Sequence, residues 1–556
     1  MTEQTRFAAA TLDDALRRDA SKTLTSEQQD TLRGYGEEVA FAAGDLLFEA
    51  GSEQNAFYVI LSGTVVVLDQ TEDGEVVISR LGSNTFVGEL GLLSGQRPFL
   101  SCRAEEASTT LKLSLDALHE VINQIPEIGD VIVTAFAARR ETLMSTANSN
   151  VTILGPEANR DVTRAREFVS RNRIPHQFLD TETPEGAAFA ERLSLDPGKV
   201  NVVLRGTEVV NRPDNPGIAY ALGMALDVSN GTEVDLTVIG AGPGGLAAAV
   251  YGASEGLNTV VVENTAIGGQ AGTSSRIENY MGFPTGISGR DLAYRGQVQS
   301  IKFGARFASP RTARRLEITP TGYRIVLCNG NDICTKSIVI ASGVQYRRLP
   351  LARLDEFEGA GVYYAATELE ARFCKNTEAV IIGGGNSAGQ AAMYLSRHAK
   401  HVHVVIRGAG LKASMSNYLL QRLENDPRIT LHNHSEVTEL RGENALSAVT
   451  LTHRKTGAET PIQTRALFIM IGAVPFTDWL GDRVKLDAQG FIETGESAGG
   501  RSAFETSCPG IYAIGDVRSG SVKRVASAVG EGSVVVSSVH QHIEEMAEAG
   551  ASGGDI

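Results

Sequence analysis

Five cysteines, Cys102, Cys328, Cys334, Cys374 and Cys508, are scattered over 556 residues, and no two are spaced as CxxC. That scatter excludes a disulfide framework and a cysteine-built metal site, and it suits a reducing compartment. Positive charge is in short supply: 51 Lys and Arg stand against 66 Asp and Glu, a formal charge of −15. A phosphate backbone needs a basic face, so nucleic acid is not an expected partner. No apolar run approaches the ~20 residues of a membrane-spanning helix. The first twenty residues carry mixed charge and no apolar signal core, so the expectation is a cytoplasmic protein without a membrane partner. What is present is ordinary globular composition, 42% hydrophobic, in a chain too long for one core. Three or four domains are expected.

The stretch Val234 to Glu263 carries the most specific chemistry. A short apolar run, Leu236 to Ile239, meets Gly240, Gly242, Gly244 and Gly245, then an alanine-rich helical segment and a second apolar run ending in Glu263. Gly240 makes the tight strand-to-helix turn, Gly242 lets the backbone approach a pyrophosphate, and Gly245 lets helix pack on strand. The helix N-terminus faces the phosphate charge, and Glu263 is placed to accept hydrogen bonds from ribose hydroxyls. A second fingerprint follows the apolar run Ala379 to Ile382: Gly383, Gly385, Asn386, Ser387 and Ala388 open another helix. An acid at the end of the next strand would hold a free 2′-hydroxyl. Arg407 stands there instead, with Lys412 five residues on, and two cations favour NADPH over NADH.

Residues 1–148 begin as polar helix and change near Val39 to many short β-type runs, followed by helices, which suggests a small barrel. With Phe57–Gly63 as a glycine-punctuated strand and Phe86–Leu93 as a cassette, this region resembles the cyclic-nucleotide-binding domains. The resemblance implies a cyclic-nucleotide site at Gly88, Glu89 and Leu90, with Glu89 on the ribose 2′-hydroxyl and an arginine on the cyclic phosphate. Here Pro98 occupies the arginine's place, Arg97 is one position early, and Phe99 and Leu100 replace small residues before Ser101. A bidentate guanidinium clamp is therefore out of position. Two readings stand: a cyclic-nucleotide regulator, and an inherited barrel with another ligand or none.

Residues 149–230 read strand, helix, strand, then a hairpin about Arg205-Gly206-Thr207 and a closing helix. That order resembles the thioredoxin and glutaredoxin fold, but Pro156-Glu157-Ala158 stands where its cysteines would be and Val200-Asn201 where its cis-proline would be. The module is expected to be a non-redox adaptor or spacer.

From Val234 to about Ile543 the chain resembles the low-molecular-weight thioredoxin reductases, flavoproteins with a nicotinamide domain inserted into an FAD domain. The motifs are Gly268-Gly269-Gln270, Glu278-Asn279-Tyr280, the strand ending at Gly343, the return strand ending at Gly472, and Gly515-Asp516 with Arg524, Val525 and Ala526 after it. The resemblance implies that Gly269, Gln270 and Asn279 lie along the ribityl chain and flavin edge, that Asp516 binds a ribityl hydroxyl, and that Val525 and Ala526 approach the flavin pyrimidine. It also implies FAD and NADPH as cofactors and a homodimer. The family's CxxC aligns with Ala365 and Glu368, and neither can accept electrons as a disulfide does.

The expected fold is multidomain: a β-barrel at 1–148, a thioredoxin-like α/β module at 149–230, and two Rossmann-type three-layer α/β domains. One of these binds FAD at 231–347 and 474–556, and the other binds NAD(P)H at 348–473. The expected function is an FAD-dependent NAD(P)H oxidoreductase, regulated through its N-terminal domain, with an unidentified electron acceptor outside the chain. The rival is a flavoprotein sensor, responsive to cyclic nucleotide or redox state, with little turnover.

Overall fold

The computed structural model describes residues 14 to 552, apart from 15, 53–55, 72–73, 89, 94–96, 146–150, 225–230, 275–276, 278, 359, 365, 367, 413 and 444. Two four-stranded antiparallel sheets form the N-terminal barrel, one ordered Glu37–Phe41, Ser108–Ser114, Ala56–Ser62, Phe86–Val87. The other runs Leu46–Phe48, Ser101–Ala104, Val65–Thr71, Gly74–Leu81. Two helices close the barrel, Leu115–Gln124 and Pro126–Ser145. Ser114 caps the first through its hydroxyl, and Pro126 starts the second where its missing N–H costs nothing.

The next module has the sheet order Gln177–Asp180, Val151–Gly155, Asn201–Leu204, Glu208–Val209. The first two strands are parallel, and Asn201–Leu204 is antiparallel to both of its neighbours. With helices Arg160–Arg171, Pro184–Arg192 and Asn215–Ala221, this is the thioredoxin arrangement that the strand and helix order predicts. Arg205 and Gly206 take positive φ in the hairpin loop.

Two larger α/β units follow. The first sheet runs Arg306–Ala308, Thr259–Val262, Thr232–Ile239, Asp332–Ile340, Gly322–Leu327, Ala313–Thr319, and Ile511–Ala513, from far along the chain, joins it beside Asp332–Ile340. The second runs Ile429–His432, His401–Val405, Glu378–Ile382, Glu459–Ile469, Leu446–His453, Ser435–Gly442. Their parallel strands are continuous Val and Ile runs because both faces are covered. The chain passes from the first unit to the second through Val344–Tyr346 and returns through Ala473–Pro475, which pair as a two-stranded antiparallel ribbon. Among the described residues no single helix is long and apolar enough to cross a membrane.

The domains share cores and polar joints. One apolar cluster runs from Phe57, Phe86 and Phe136 in the barrel to Ala293, Ile301 and Phe307 in the first α/β unit. The contact is helix Pro126–Ser145 against helix Gly289–Lys302, reinforced by Lys302 on Asp130 at 2.6 Å. Arg173, at the end of the thioredoxin-like module's first helix, ion-pairs Glu141 of the barrel helix and Asp291 of helix Gly289–Lys302. Its guanidinium also lies 4.1 Å from the centre of the Tyr294 ring.

Candidate nucleotide-binding sites

The first fingerprint forms the strand-turn-helix its spacing predicts. Gly240 turns with φ +104°, and a Cβ there would strike the Ala341 carbonyl. A Cβ on Gly245 would strike the Gly240 carbonyl, so the helix start packs on the turn. Gly244 serves a different contact, the close approach of Ala528 in the C-terminal helix Val525–Ser552. Gly242 is the N-cap of helix Pro243–Ser254, offers no side-chain cap, and has open space around it. The first-turn N–H groups are thus left for a ligand, and an anion is the fitting one.

Glu263 is buried, 6% exposed, at the end of Thr259–Val262. Its Oε2 accepts from Ala241 N–H at 2.8 Å, and its Oε1 accepts from Thr265 and Ala266 at 2.9 and 3.3 Å. The carboxylate therefore ties the two nucleotide turns together as well, and Oε2 retains a lone pair for a hydroxyl. Gly269 faces Gly242 across the site, its carbonyl accepting from Arg171 Nη2 at 3.2 Å. Gln270 donates to the Val344 carbonyl at the start of the ribbon, next to Gly343 with φ +62°. Asn279 is exposed.

Gly515 and Asp516 follow strand Ile511–Ala513. The Gly515 N–H donates to Glu531 at 2.6 Å, and Arg518 holds that carboxylate at 2.7 Å. Asp516 is half-buried and makes no hydrogen bond among the described residues. Burial raises its pKa, opposed by Lys523 and reinforced by Glu531. An uncapped helix N-terminus, a cross-turn glutamate and an uncommitted aspartate fit the diphosphate, ribose and ribityl groups of FAD. Arg524 is exposed, and Val525 and Ala526 open the C-terminal helix beside this turn.

The second fingerprint repeats the design. Gly383 has φ +148°, its missing Cβ making room for the Met470 carbonyl, and Gly385 is the N-cap of helix Asn386–Leu395 without a side-chain cap. Ala388 is fully buried and Ser387 exposed. Asn386 Oδ1 accepts from Ser416 N–H at 2.8 Å, and Ser414 donates to the Gly384 carbonyl at 2.7 Å. Arg407 and Lys412 are exposed on the loop after His401–Val405, without an ion pair among the described residues. Neither would give up an ion pair among the described residues on meeting an anion.

The cassette residues are placed less uniformly. Gly88 packs on Phe136, and its carbonyl accepts from Arg139 Nη1 at 2.9 Å, as does that of Phe86. Arg139 also donates to Ala20 O at 3.0 Å, and burial lowers its pKa to about 10. Glu89 lies outside the described residues; Leu90 opens the short helix Leu90–Leu93. Arg97 lies along Gly223 of the thioredoxin-like module, Phe99 packs on that module's core, and the Ser101 hydroxyl accepts from Ala50 N–H at 2.9 Å. The segment that aligns with the phosphate clamp is therefore an interdomain joint, and Arg205 closes the same joint on Gly51.

Of the CxxC positions, Ala365 lies outside the described residues and Glu368 is the first residue of helix Glu368–Phe373. All five cysteines are free. Cys374 is fully buried with its thiol pKa pushed up to about 12 by burial, and Cys508 is buried beside Tyr323. Arg139, Arg171, Glu531 and the Ser414–Ser416 loop had no motif to announce them.

Residues 38–125 match the Cyclic nucleotide-binding domain family, and residues 234–532 match the Pyridine nucleotide-disulphide oxidoreductase family. Thioredoxin reductase of Bacillus subtilis (strain 168) is 32% identical over 315 residues, 56% of this chain and 96% of that one. Thioredoxin reductase of Treponema pallidum (strain Nichols) is 33% identical over 319 residues, 57% of this chain and 99% of that one. Among solved structures, T. acidophilum thioredoxin reductase superposes with a TM-score of 0.51 at 31% identity, covering 56% of this chain and 98% of that one. Thioredoxin reductases use FAD and NADPH, the groups that the two uncapped helix N-termini fit. With more than half its length in the match, the chain belongs to the pyridine nucleotide-disulphide oxidoreductase family, in a thioredoxin-reductase-like form that carries a cyclic nucleotide-binding domain at its N-terminal side.

Proposed function

We propose that the chain is an FAD-dependent NADPH oxidoreductase that delivers electrons to an acceptor other than a disulfide of its own. The observation that carries this is the pair of complete nucleotide cradles, Gly242 with Asp516 and Gly385 with Arg407, beside cysteine positions held by Ala365 and Glu368. Bound FAD supplies the redox chemistry, taking a hydride from the nicotinamide. The chain's residues orient and discriminate. Gly242 and Gly385 present N–H groups to diphosphates, Glu263 accepts from a ribose, Asp516 accepts from a ribityl hydroxyl, and Arg407 with Lys412 favours a 2′-phosphate. Cys374 and Cys508 are buried with raised thiol pKa values, so neither offers a thiolate in place of the missing pair.

The N-terminal barrel is the regulatory element of this proposal. Its helix Pro126–Ser145 presses on helix Gly289–Lys302, whose Ala293 underlies Gly268 in the loop facing the first fingerprint. The sensor reading has its own support in the cassette, where Arg97 and Phe99 already serve the joint with the thioredoxin-like module. Cytoplasmic location and a homodimer belong to the same proposal, the second checked by sedimentation.

The test is anaerobic stopped flow on the purified chain. NADPH should bleach the flavin band near ~450 nm within the dead time to seconds, as isoalloxazine chemistry requires. A bound flavin that stays oxidised for minutes with both NADPH and NADH would sink the enzyme and leave the sensor.

A further inference from the structure

The joint at Arg173 encloses a cavity of about 50 Å³. Its polar wall comes from Arg171 and Arg173 of the thioredoxin-like module and from Arg290, Gln297 and Ser309 of the FAD unit. Arg173 is 8% exposed and Ser309 is 6% exposed. The two Nη atoms of Arg173 are spent on Glu141 and Asp291. Its Nε, like Ser309 Oγ, is buried and has no hydrogen-bond partner among the described residues. Buried polar atoms are nearly always paired, so two unpaired ones on the wall of one cavity call for an occupant.

The charge of the wall selects that occupant. Three guanidiniums surround the cavity, and the two acids that Arg173 meets are about half exposed and therefore screened. Such a wall repels a cation. Guanidinium donors match the planar edges of an oxyanion, and the Ser309 hydroxyl and the Gln297 amide add donors of their own. A cavity of this size takes a few waters or one tetrahedral oxyanion, and it is too small for a nucleoside. It is also distinct from the nucleotide cradle. Gly269 faces Gly242 in the cradle, whereas Gly268 of the same loop lies on Ala293, and Ala293, Ile267 and Gly272 line the cavity. Gly242, Glu263 and Asp516 are not in its wall.

We propose that this cavity binds one inorganic oxyanion, phosphate or sulfate, and that the ion pins the thioredoxin-like module to helix Gly289–Lys302 and to the loop at 267–272. Arg173 Nε and Ser309 Oγ donate to the ion from two different units, and Arg171 and Arg290 add positive charge. Because the ion binds only the closed joint, it stabilises that joint by mass action, more so as its concentration rises. This site does not depend on whether NADPH reduces the flavin.

The experiment is titration calorimetry on the full FAD-loaded chain in chloride buffer, with inorganic phosphate and, separately, inorganic sulfate at constant ionic strength. One ion per chain should bind, and the two titrations show which of the two ions the site prefers. Any phosphate or sulfate carried through purification is counted by ion chromatography after unfolding and belongs to the same stoichiometry. At about a hundred times its Kd the ion should slow hydrogen exchange in Arg160–Arg171 and Gly289–Lys302 by about 100-fold, where opening of the joint governs exchange. Arg290→Gln and, separately, Ser309→Ala should each raise the Kd by about 10-fold or more, since each removes a donor to a charged ligand. Arg295→Gln, at an exposed position of the same helix, should leave it unchanged. No bound ion before or after titration means that the cavity holds water alone and overturns the proposal. Binding that survives both wall variants, or that Arg295→Gln weakens as much as they do, overturns it as well.

Discussion

Replacing Arg173 tests whether the joint between the three N-terminal units is polar or merely apolar. Its side chain is 10% exposed, whereas its partners Glu141 and Asp291 are 48% and 51% exposed. Half-exposed acids are screened, so each ion pair is worth about 0.5 kcal/mol. The guanidinium over Tyr294 adds about 1 kcal/mol as a partly desolvated cation–π contact. Arg173→Ala therefore removes about 2 kcal/mol from the joint, which is about 30-fold in a local opening equilibrium. Because a chain of several domains does not unfold in one step, melting temperature is the wrong measure. Hydrogen exchange followed by mass spectrometry on peptides from Pro126–Ser145 and Gly289–Lys302 reads the opening directly. Exchange should quicken about 30-fold in both helices and much less in the nicotinamide sheet. Arg173→Lys should fall about halfway, because an ammonium cannot fork to two acids at once. Unchanged exchange in Arg173→Ala would refute the reasoning and leave the shared apolar cluster as the whole joint.

In the proposed function the cations after His401–Val405, Arg407 and Lys412, set nucleotide choice. Arg407→Ala with Lys412→Ala should raise the KM for NADPH by about 10- to 100-fold through lost charge-assisted contacts while NADH is little changed, and equal losses for both donors would refute the assignment. Cyclic AMP or cyclic GMP that binds the barrel must slow hydrogen exchange within it by mass action, and to engage Arg97 it must detach that residue from Gly223. Phe99→Ala, which loosens the same joint, should therefore tighten binding measured by titration calorimetry; weaker binding would refute the competition. Cys374→Ala should cost about 1–2 kcal/mol of stability as a small cavity yet leave the rate of flavin reduction unchanged, and a slowed rate would return the thiol to the mechanism.

The two nucleotide cradles were legible because everything they need is local. Strand, glycine turn and helix follow one another at Gly240 and again at Gly383, each a continuous apolar run that meets a cluster of glycines and then an alanine-rich helix. The thioredoxin-like order was legible for the same reason. Glu263 was half legible: its place at the strand end marks a ribose acceptor, but only the fold shows it pinning Ala241, Thr265 and Ala266. Pro98 in the clamp position revealed that the guanidinium is misplaced, but not that Arg97 lies on Gly223 of another module. Arg139 and Arg173 were illegible: Arg139 turns onto the carbonyls of Ala20, Phe86 and Gly88, far away in the sequence, and Arg173, two residues past its helix, meets acids of two other units.

Those illegible residues converge on one element. Helix Arg160–Arg171 and the two residues after it meet every other unit of the chain. Arg160 faces the nicotinamide unit, Arg171 and Asn172 hold the carbonyls of Gly269 and Thr265, and Arg173 joins barrel to FAD unit. A twelve-residue helix is about 18 Å long and nearly rigid, so it cannot shift against one neighbour without disturbing the others. On the barrel side, Arg139 clamps the carbonyls of Phe86 and Gly88 from helix Pro126–Ser145, and Glu141 on that same helix is held by Arg173. In the proposed regulation, a displacement of the cassette would reach the loop at Gly269 through these packed side chains and ion pairs. In that proposal the thioredoxin-like module would be the coupling element, a role that needs no cysteine. What that role needs is a stiff helix with charges at its ends, and Arg160, Arg171 and, two residues beyond, Arg173 are those charges.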